Sequence, residues 1–299
     1  MLENLTGKKV WGVLPYETDL LIEEEDAVFL GNQAAALSPD LDIGVVLFPR
    51  ISNATDFQIL AKEPGVSVRM IRCLEDFGLP DLLILPGTKA TLADLQYLKE
   101  KGLARKIKDY VRAGGRVLGI CGGFQMLGES IVDADGAESE TTFKEGLSLL
   151  PIRTRFFPEK TLRRVLGKAQ KNIFGFPVEG TLQGYEIHMG QTEGCWENTL
   201  FEITSWDSPG DWKPEGAADA TGRILGTYLH GIFDDESFRS SFLKALRQSL
   251  GRRPPIVSIP IRSSSLVKEE NYVKLAKLLR NHLNLEYLES WLKSSLPLA

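Results

Sequence analysis

The sequence predicts an α/β fold in which a mostly parallel central sheet is flanked by helices and carries an antiparallel edge. Short apolar runs alternate with longer amphipathic stretches, which is typical of strands joined by crossover helices. The runs have little polar alternation, so we expect strands that are buried on both faces, as in parallel sheets. Four of these runs precede residue 121, at 43–48, 66–71, 82–85 and 117–120.

A single amphipathic stretch joins the third apolar run to the fourth. Leucine, isoleucine and valine recur in it at helical spacing, and it ends before Gly114-Gly115, a common helix stop. The spacing predicts one helix over 91–111. A strand, a helix and a strand in this order predict parallel neighbours in one sheet.

After about residue 145 apolar and polar residues alternate, with turn residues between them. This pattern predicts strands of a mixed or antiparallel edge. The remaining predicted elements are strands at 149–156, 163–168 and 222–229, a helix at 236–250 and a helical segment at 267–292.

The two ends of the sequence are set apart from the rest. A strand at 10–14 and a helix at 23–30 are too little for a domain, so residues 1–40 are interpreted as the tail of another domain and a linker. One domain is predicted over 41–250. Residues 251–299 are predicted to form a Pro-, Ser- and Arg-rich connector and a helical extension.

Composition excludes several classes of protein. Hydrophobic residues make up 43% of the 299 positions, and 35 basic against 40 acidic residues give a net charge of −5, so neither a nucleic-acid nor a membrane surface is expected. The start lacks a signal-peptide pattern and no apolar run is long enough to span a membrane. Three unpaired, widely spaced cysteines predict neither disulfides nor a metal site, and favour a cytoplasmic location.

The strongest chemical signal is the segment around Cys121. An apolar strand leads directly into Cys121, Gly122 and Gly123 permit a tight turn, and an apolar helix follows, which is the pattern of a nucleophile elbow. A helix N-terminus stabilises a thiolate, and the N–H of Gly122 would face an oxyanion. A buried inert cysteine is the simpler interpretation of a lone cysteine, but the flanking glycines favour a reactive one.

A thiolate nucleophile needs a proton shuttle, and the sequence has three histidines. His230 and His188 each end an apolar strand, where parallel sheets present active residues, whereas His282 lies in the terminal amphipathic segment and is interpreted as a surface or packing residue. Gly87 follows another strand end and is a candidate for the second oxyanion donor.

These motifs together resemble the class I, triad-type glutamine amidotransferases, with their flavodoxin-like architecture, and in particular the glutaminase domain of the cobyric and cobyrinic acid synthase group. The similarity runs from about residue 10 to the end of the sequence. It implies that residues 1–40 are the remnant of the N-terminal synthetase domain of this family with a linker, and that residues 41–250 are the glutamine amidotransferase domain. The motifs that carry it are Phe48-Pro-Arg-Ile-Ser-Asn-Ala-Thr-Asp-Phe57, Leu85-Pro-Gly-Thr-Lys-Ala-Thr-Leu-Ala-Asp94, Gly119-Ile-Cys-Gly-Gly-Phe-Gln-Met-Leu-Gly128, Gly184-Tyr-Glu-Ile-His-Met-Gly190 and Gly226-Thr-Tyr-Leu-His-Gly-Ile-Phe233.

The resemblance implies a site and a reaction. Cys121 would attack the side-chain amide of glutamine, and His230 would protonate the departing ammonia. Backbone N–H groups of Gly87 and Gly122 would hold the oxyanion. Further residues implied in glutamine binding are Gln125, Tyr185 and His188.

The resemblance also implies partners. Ammonia would pass to a synthetase that uses ATP and Mg²⁺ to amidate corrin side-chain carboxylates of adenosylcobyrinic acid a,c-diamide, in cobalamin biosynthesis. The sequence contains no G-x-x-x-x-G-K-[ST] P-loop, so no cofactor is expected in this chain itself.

One position departs from the wider pattern of triad amidotransferases. Ile232 occupies the place of the glutamate that usually orients the histidine, and Asp234 or Asp235 could substitute for it. Arg50, Asn53 and Asp56 form either a hydrogen-bonded turn before a helix or a contact with the synthetase or the glutamine pocket.

Other functions remain open at this point. The domain could serve another carboxylate-amidating enzyme, such as cobyrinic acid a,c-diamide synthase or the enzyme that amidates lipid II. It could also be a non-catalytic docking or redox-sensing module that uses Cys121 as a reactive thiol.

Overall fold

A computed structural model describes residues 1–17, 39–139, 143–169, 172–194, 199–253 and 264–295. The strands are β1 (Leu41–Val46), β2 (Val66–Ile71), β3 (Leu82–Leu85), β4 (Val117–Ile120), β5 (Ser130–Val132), β6 (Phe143–Glu145), β7 (Ile152–Ala169), β8 (Thr181–Gly194), β9 (Phe201–Ser205), β10 (Lys213–Glu215), β11 (Ala217–Ala218), β12 (Ile224–Thr227) and β13 (Leu229–His230). The helices are α1 (Leu2–Thr6), α2 (Thr55–Gln58), α3 (Thr91–Glu100), α4 (Leu103–Arg112), α5 (Gly122–Leu127), α6 (Glu236–Ser249), α7 (Ser264–His282) and α8 (Leu285–Ser295).

The chain divides into two compact units. One unit combines Met1–Glu23 with Ile261–Ala299, and the other comprises Glu24–Pro260. The N-terminal and C-terminal segments thus belong to one unit, a pairing that the sequence pattern does not indicate. The expected domain boundaries at residues 40 and 250 stay a prediction.

The larger unit contains a six-stranded sheet with the order β11-β12-β4-β3-β1-β2. The pairs from β12 to β2 are all parallel, and only β11 runs antiparallel, at one edge. This confirms the predicted α/β class, the mostly parallel sheet and its antiparallel edge. The carboxyl ends of β1, β3, β4 and β12 therefore lie along one edge of the sheet, where parallel sheets place their functional groups.

A second sheet of seven strands, β5 to β10 with β13, lies in the same unit. It is built around the long antiparallel pair of β7 and β8, whose register shifts between Arg155 and Lys160. The sequence predicts two strands at 149–156 and 163–168, but the chain forms the single strand β7. The irregularity between Arg155 and Lys160 explains why the alternation is interrupted there.

Two hydrophobic clusters pack against the strands of the larger unit. One includes Phe57 and Phe242, and the other includes Leu95 and Phe124. Residues of β1, β3 and β4 contribute to both clusters, because successive side chains of a strand point to opposite faces. The central strands are therefore buried on both faces, as their apolar runs predict.

The single helix predicted over 91–111 is wrong in one respect, because the structure divides it into α3 and α4. The break is at Gly102, whose φ of 72° is left-handed and cannot continue a right-handed helix. The strand predicted at 222–229 is likewise divided. Strand β12 pairs with β4 in the first sheet, whereas β13 pairs with β8 in the second, so the chain changes sheets at Tyr228.

The smaller unit is helical. Trp11 packs against Tyr287 and Trp291 of α8, with ring centroids 5.9 and 5.4 Å apart. The strand predicted at 10–14 is reduced to a single antiparallel bridge between Gly12 and Leu283. The helix predicted over 267–292 is interrupted between α7 and α8, and the helix predicted at 23–30 lies outside the described residues. Within the described ranges, no helix has both the length and the apolar character that crossing a membrane requires.

Candidate active site

Cys121 lies at the turn between β4 and α5, in a backbone conformation that few side chains adopt. Its φ is 51° and its ψ is −109°, so the thiol projects from a strained strand-to-helix turn. Gly123 makes the turn possible, because a Cβ atom there would lie 1.9 Å from the carbonyl oxygen of Leu85. The predicted nucleophile elbow is therefore the geometry that the chain adopts.

His230 is held by a carboxylate that the sequence interpretation did not select as its partner. Nδ1 of His230 lies 2.7 Å from Oδ2 of Asp56, and each side chain is 1% exposed. The other oxygen, Oδ1, accepts a hydrogen bond of 2.8 Å from the backbone N–H of Gly231. Asp56 thus fixes both the imidazole ring and the backbone next to it.

The suggestion that Asp234 or Asp235 orients His230 is wrong. Asp235 caps α6, where its side chain accepts a hydrogen bond from the N–H of Phe238. The ring nitrogen that an orienting acid would contact is already bonded to Asp56. Only the order of the strands in the sheet indicates Asp56 as the partner of His230. Asp56 follows β1 in the chain, and β1 ends at the same edge of the sheet as β4.

Opposing effects act on the protonation of His230. Burial lowers its pKa, while the charge and hydrogen bond of Asp56, followed by the nearby Cys121, raise it, and the net result is a pKa of about 10. The imidazole is therefore protonated at neutral pH. Its Nε2 is buried and forms no hydrogen bond with any group that the structure describes.

One cavity of about 320 Å³ contains the residues that carry chemistry. Cys121 and His230 both line it, and so do the predicted residues Gln125 and His188. The thiol of Cys121 donates a weak hydrogen bond to the backbone oxygen of Ile187, 3.6 Å away. The remaining residues that line the cavity are Ser52, Asn53, Thr88, Lys89, Thr91, Glu138, Phe156, Lys160, Ile187 and Met189.

Gln125 is held by hydrogen bonds at both ends of its amide. Its Nε2 donates to the backbone oxygen of Met189 at 3.0 Å and to the hydroxyl of Tyr228 at 3.1 Å. Its Oε1 accepts from the hydroxyl of Thr91 at 3.1 Å. Both amide hydrogens thus have protein partners, and Gln125 fixes the wall of the cavity.

The other predicted site residues lie around Cys121 and His230. A Cβ on Gly87 would be 3.3 Å from Cε1 of His230, and one on Gly122 would be 2.7 Å from Cγ2 of Thr88, so both glycines allow close packing. Tyr185 stacks on His230, with ring centroids 5.3 Å apart, and lines a neighbouring groove. The roles of these three residues stay predictions.

His188 differs from His230 in its electrostatic environment. Burial lowers the pKa of His188, despite the nearby Glu186. Its ring stacks on Tyr228 with 3.8 Å between centroids, and its Nδ1 is 3.1 Å from the backbone oxygen of Gly190. A neutral, packed ring of this kind is suited to forming a wall of the cavity.

Of Arg50, Asn53 and Asp56, whose alternatives were left open, the structure brings one to the cavity and a second to His230. Asn53, with a φ of 53°, lines the cavity, and Asp56 bonds to His230. The same segment is also a hydrogen-bonded turn, because the N–H of Asp56 donates to the oxygen of Asn53. Arg50 instead pairs with Asp94 at 3.2 Å.

A thiol and an imidazolium in one cavity, with a buried carboxylate bonded to the imidazolium, have the components of nucleophilic acyl transfer. Residues 42–238 match the CobB/CobQ-like glutamine amidotransferase domain, and the chain belongs to that family.

Curated relatives extend the comparison to nearly the whole chain. The cobyric acid synthase of Dehalococcoides mccartyi strain CBDB1 is 40% identical over 291 residues, and that of Desulforamulus reducens is 41% identical over 293 residues. Each alignment covers 96% of this chain but 56% of the relative, so the chain spans little more than half of their length. Among solved structures, PurLQS from Thermotoga maritima matches with a TM-score of 0.48 and 18% identity, over 72% of this chain and 98% of the other.

Proposed function

We propose that this domain hydrolyses glutamine with Cys121 as the nucleophile and supplies ammonia for the amidation of corrin carboxylates. The observation that carries the proposal is the arrangement of Cys121, His230 and Asp56, with the thiol and the imidazole in one cavity. The family to which the chain belongs and the cobyric acid synthases that it resembles support the substrate and the pathway.

In the first step, the thiol of Cys121 releases its proton to solvent, and the resulting thiolate beside the imidazolium of His230 attacks the amide carbon of glutamine. A tetrahedral intermediate forms, and its oxyanion would be stabilised by backbone N–H groups at Gly87 and Gly122. Nε2 of His230, protonated at neutral pH, donates its proton to the leaving nitrogen. The carbon–nitrogen bond breaks, ammonia leaves, and a thioester joins Cys121 to the glutamyl group.

In the second step, water hydrolyses the thioester. His230, now neutral, accepts a proton from the water as its oxygen attacks the thioester carbon. The carbon–sulfur bond breaks, glutamate leaves and the thiolate of Cys121 is restored. Asp56 would keep Nδ1 protonated and the ring oriented in both steps.

The ammonia would be used by a synthetase domain or subunit that takes ATP, Mg²⁺ and the corrin substrate. The residues of this chain do not fit a P-loop nucleotide site, since the sequence lacks the G-x-x-x-x-G-K-[ST] pattern. We therefore assign ATP and Mg²⁺ to that partner. We expect weak glutaminase activity from the 299-residue chain alone and higher activity with the synthetase present.

Covalent labelling with 6-diazo-5-oxo-L-norleucine tests the proposal. Peptide mass spectrometry should find the adduct on Cys121, and C121A should abolish it, whereas C73A should leave it intact. The same labelling distinguishes a catalytic domain from a docking or redox module. Absence of labelling with the synthetase present would exclude the glutaminase function, and rapid turnover by the isolated chain would contradict its dependence on the synthetase.

A further inference from the structure

A hydrogen-bonded loop after β5 places Glu138 at the wall of the cavity. The fully buried Asp133 accepts hydrogen bonds from three successive N–H groups of this loop, at Ala137, Glu138 and Ser139, with distances of 2.7, 2.9 and 2.9 Å. Because a buried carboxylate is retained only when it is well bonded, Asp133 holds the loop in one conformation. The position of Glu138 is therefore fixed by the fold.

The carboxylate of Glu138 also contacts the N-terminus of α3. Its oxygens accept hydrogen bonds from the N–H groups of Thr91 at 2.7 Å and Leu92 at 2.8 Å. The N-cap residue of this helix, Ala90, has no side-chain group that could cap it. Each carboxylate oxygen can accept more than one hydrogen bond, so Glu138 retains acceptor capacity after capping the helix.

The charge of Glu138 is unusual for its surroundings. Among the described residues that line the cavity, it is the one carboxylate, and Lys89, Lys160 and the protonated His230 are the cations. Burial raises the pKa of Glu138, and hydrogen bonds from Leu92 and Thr91 counteract this only in part. A cation bound beside the carboxylate would offset that cost of burial.

Cys121 and Glu138 line the same cavity, and a chain of bonded residues on its wall connects them. Gln125 follows Cys121 by about one helical turn. The hydroxyl of Thr91 bonds to Gln125, while its N–H bonds to Glu138. A glutamine molecule whose amide lies at Cys121 has its α-amino group a side-chain length away, and that group carries a positive charge which needs an acidic partner when buried.

We propose that Glu138 binds the α-ammonium group of the substrate and so makes the site select free glutamine over primary amides that lack this group. The proposal rests on the proposed glutaminase function and adds a specificity residue to it. The carboxylate of Glu138 would then both cap α3 and bind the α-ammonium group of the substrate.

Two electrophiles that react with Cys121 test this assignment in the 299-residue chain. Diazo-oxo-norleucine carries the α-ammonium group, whereas iodoacetamide does not. We expect E138Q to slow labelling of Cys121 by diazo-oxo-norleucine about 10- to 100-fold, the effect of losing one charged hydrogen bond. Labelling by iodoacetamide should change less than about twofold, because it makes no use of this charge. The matched control is E129Q, which removes an exposed carboxylate paired with Arg153 outside the cavity.

Hydrolysis of L-glutamine and of glutaramate, the same amide without the α-amino group, gives a second measurement. The unmodified chain should prefer glutamine, and E138Q should lose most of that preference. E138D retains the charge and serves if E138Q does not fold; we expect it to keep part of the preference. An equal loss of labelling rate with both electrophiles and of hydrolysis rate with both substrates would show that Glu138 only caps α3, and would overturn the proposal. No loss of either rate in E138Q would overturn it as well. If the unmodified chain does not react with diazo-oxo-norleucine even with the synthetase present, but does react with iodoacetamide, the glutaminase function itself fails, and this inference with it.

Discussion

Asp56 and His230 are 174 positions apart in the chain, yet Oδ2 of the first and Nδ1 of the second are separated by 2.7 Å. The pair is buried, and the second oxygen of Asp56 is bonded to the backbone of Gly231. An acid from the connection after β1 therefore stands where the wider class of triad enzymes uses a residue two positions after the histidine. The isoleucine at that position, Ile232, is instead a core residue with 1% exposure.

Replacing Asp56 by asparagine should greatly reduce glutamine hydrolysis. D56N removes the charge that orients and protonates His230, so we expect kcat to fall by about 10²–10⁴, with a smaller change in KM. Steady-state ammonia release measures this. D235N is the matched control, because asparagine still caps α6, and its activity should be unchanged. Normal turnover by D56N would show that Asp56 does not position the histidine.

The Asp56–His230 pair should also make stability depend on pH. The pKa of His230 rises from 6.5 to about 10 on folding, so the pair stabilises the fold fully below pH 6.5 and loses this contribution as the pH rises through 10. We expect D56N to destabilise the protein strongly at pH 6 and much less at pH 10. Urea unfolding at a series of pH values measures the difference, and an effect that does not depend on pH would contradict the assignment.

The strained backbone at Cys121 should reverse the usual order of stability of alanine and glycine. Alanine normally stabilises a chain by about 0.5–1 kcal/mol relative to glycine. At a φ of 51° and a ψ of −109°, however, a Cβ atom is disfavoured, so we expect C121G to be more stable than C121A by about 1 kcal/mol. Thermal unfolding of the two inactive variants decides this. A more stable C121A would show that the turn is not strained.

Glu215 should weaken the fold as the pH rises. Its side chain accepts hydrogen bonds from the hydroxyl of Thr227 and the N–H of Tyr228, but burial dominates and raises its pKa from 4.5 to about 8. Between these values the folded protein keeps a proton that the unfolded chain releases, so stability falls from pH 4.5 to pH 8. E215Q should remove this slope and exceed the unmodified protein in stability at pH 8. Urea midpoints between pH 5 and 8 test this, with E129Q as a control that should keep the slope.

The sequence pattern predicts the parallel sheet well because its signals are local. The apolar runs at β1, β2, β3 and β4 are continuous, and the glycines after Cys121 are adjacent to it. The position of Asp56 depends instead on which strands are neighbours, and no local pattern carries that information. A single glycine, Gly102, likewise decides whether one helix or two form between β3 and β4, because its φ is positive.

The second sheet is harder to predict for a related reason. The pairing of β7 with β8 extends over most of both strands, and their alternation is broken by the irregularity after Arg155. The chain passes from the first sheet to the second at Tyr228, and no turn residue at that position marks the change in the sequence. The sequence pattern does not indicate Glu138 as a site residue, because the cavity that it lines forms only in the folded chain.

The order of the three groups along the chain has a consequence for how the site is made during translation. Asp56 is synthesised first, Cys121 next and His230 last, and β13, which carries His230, pairs with β8 of the second sheet directly after β12, which pairs with β4 of the first. A nascent chain that ends before residue 230 has the thiol but lacks the imidazole beside it. Premature termination in this region therefore releases a chain without the complete constellation.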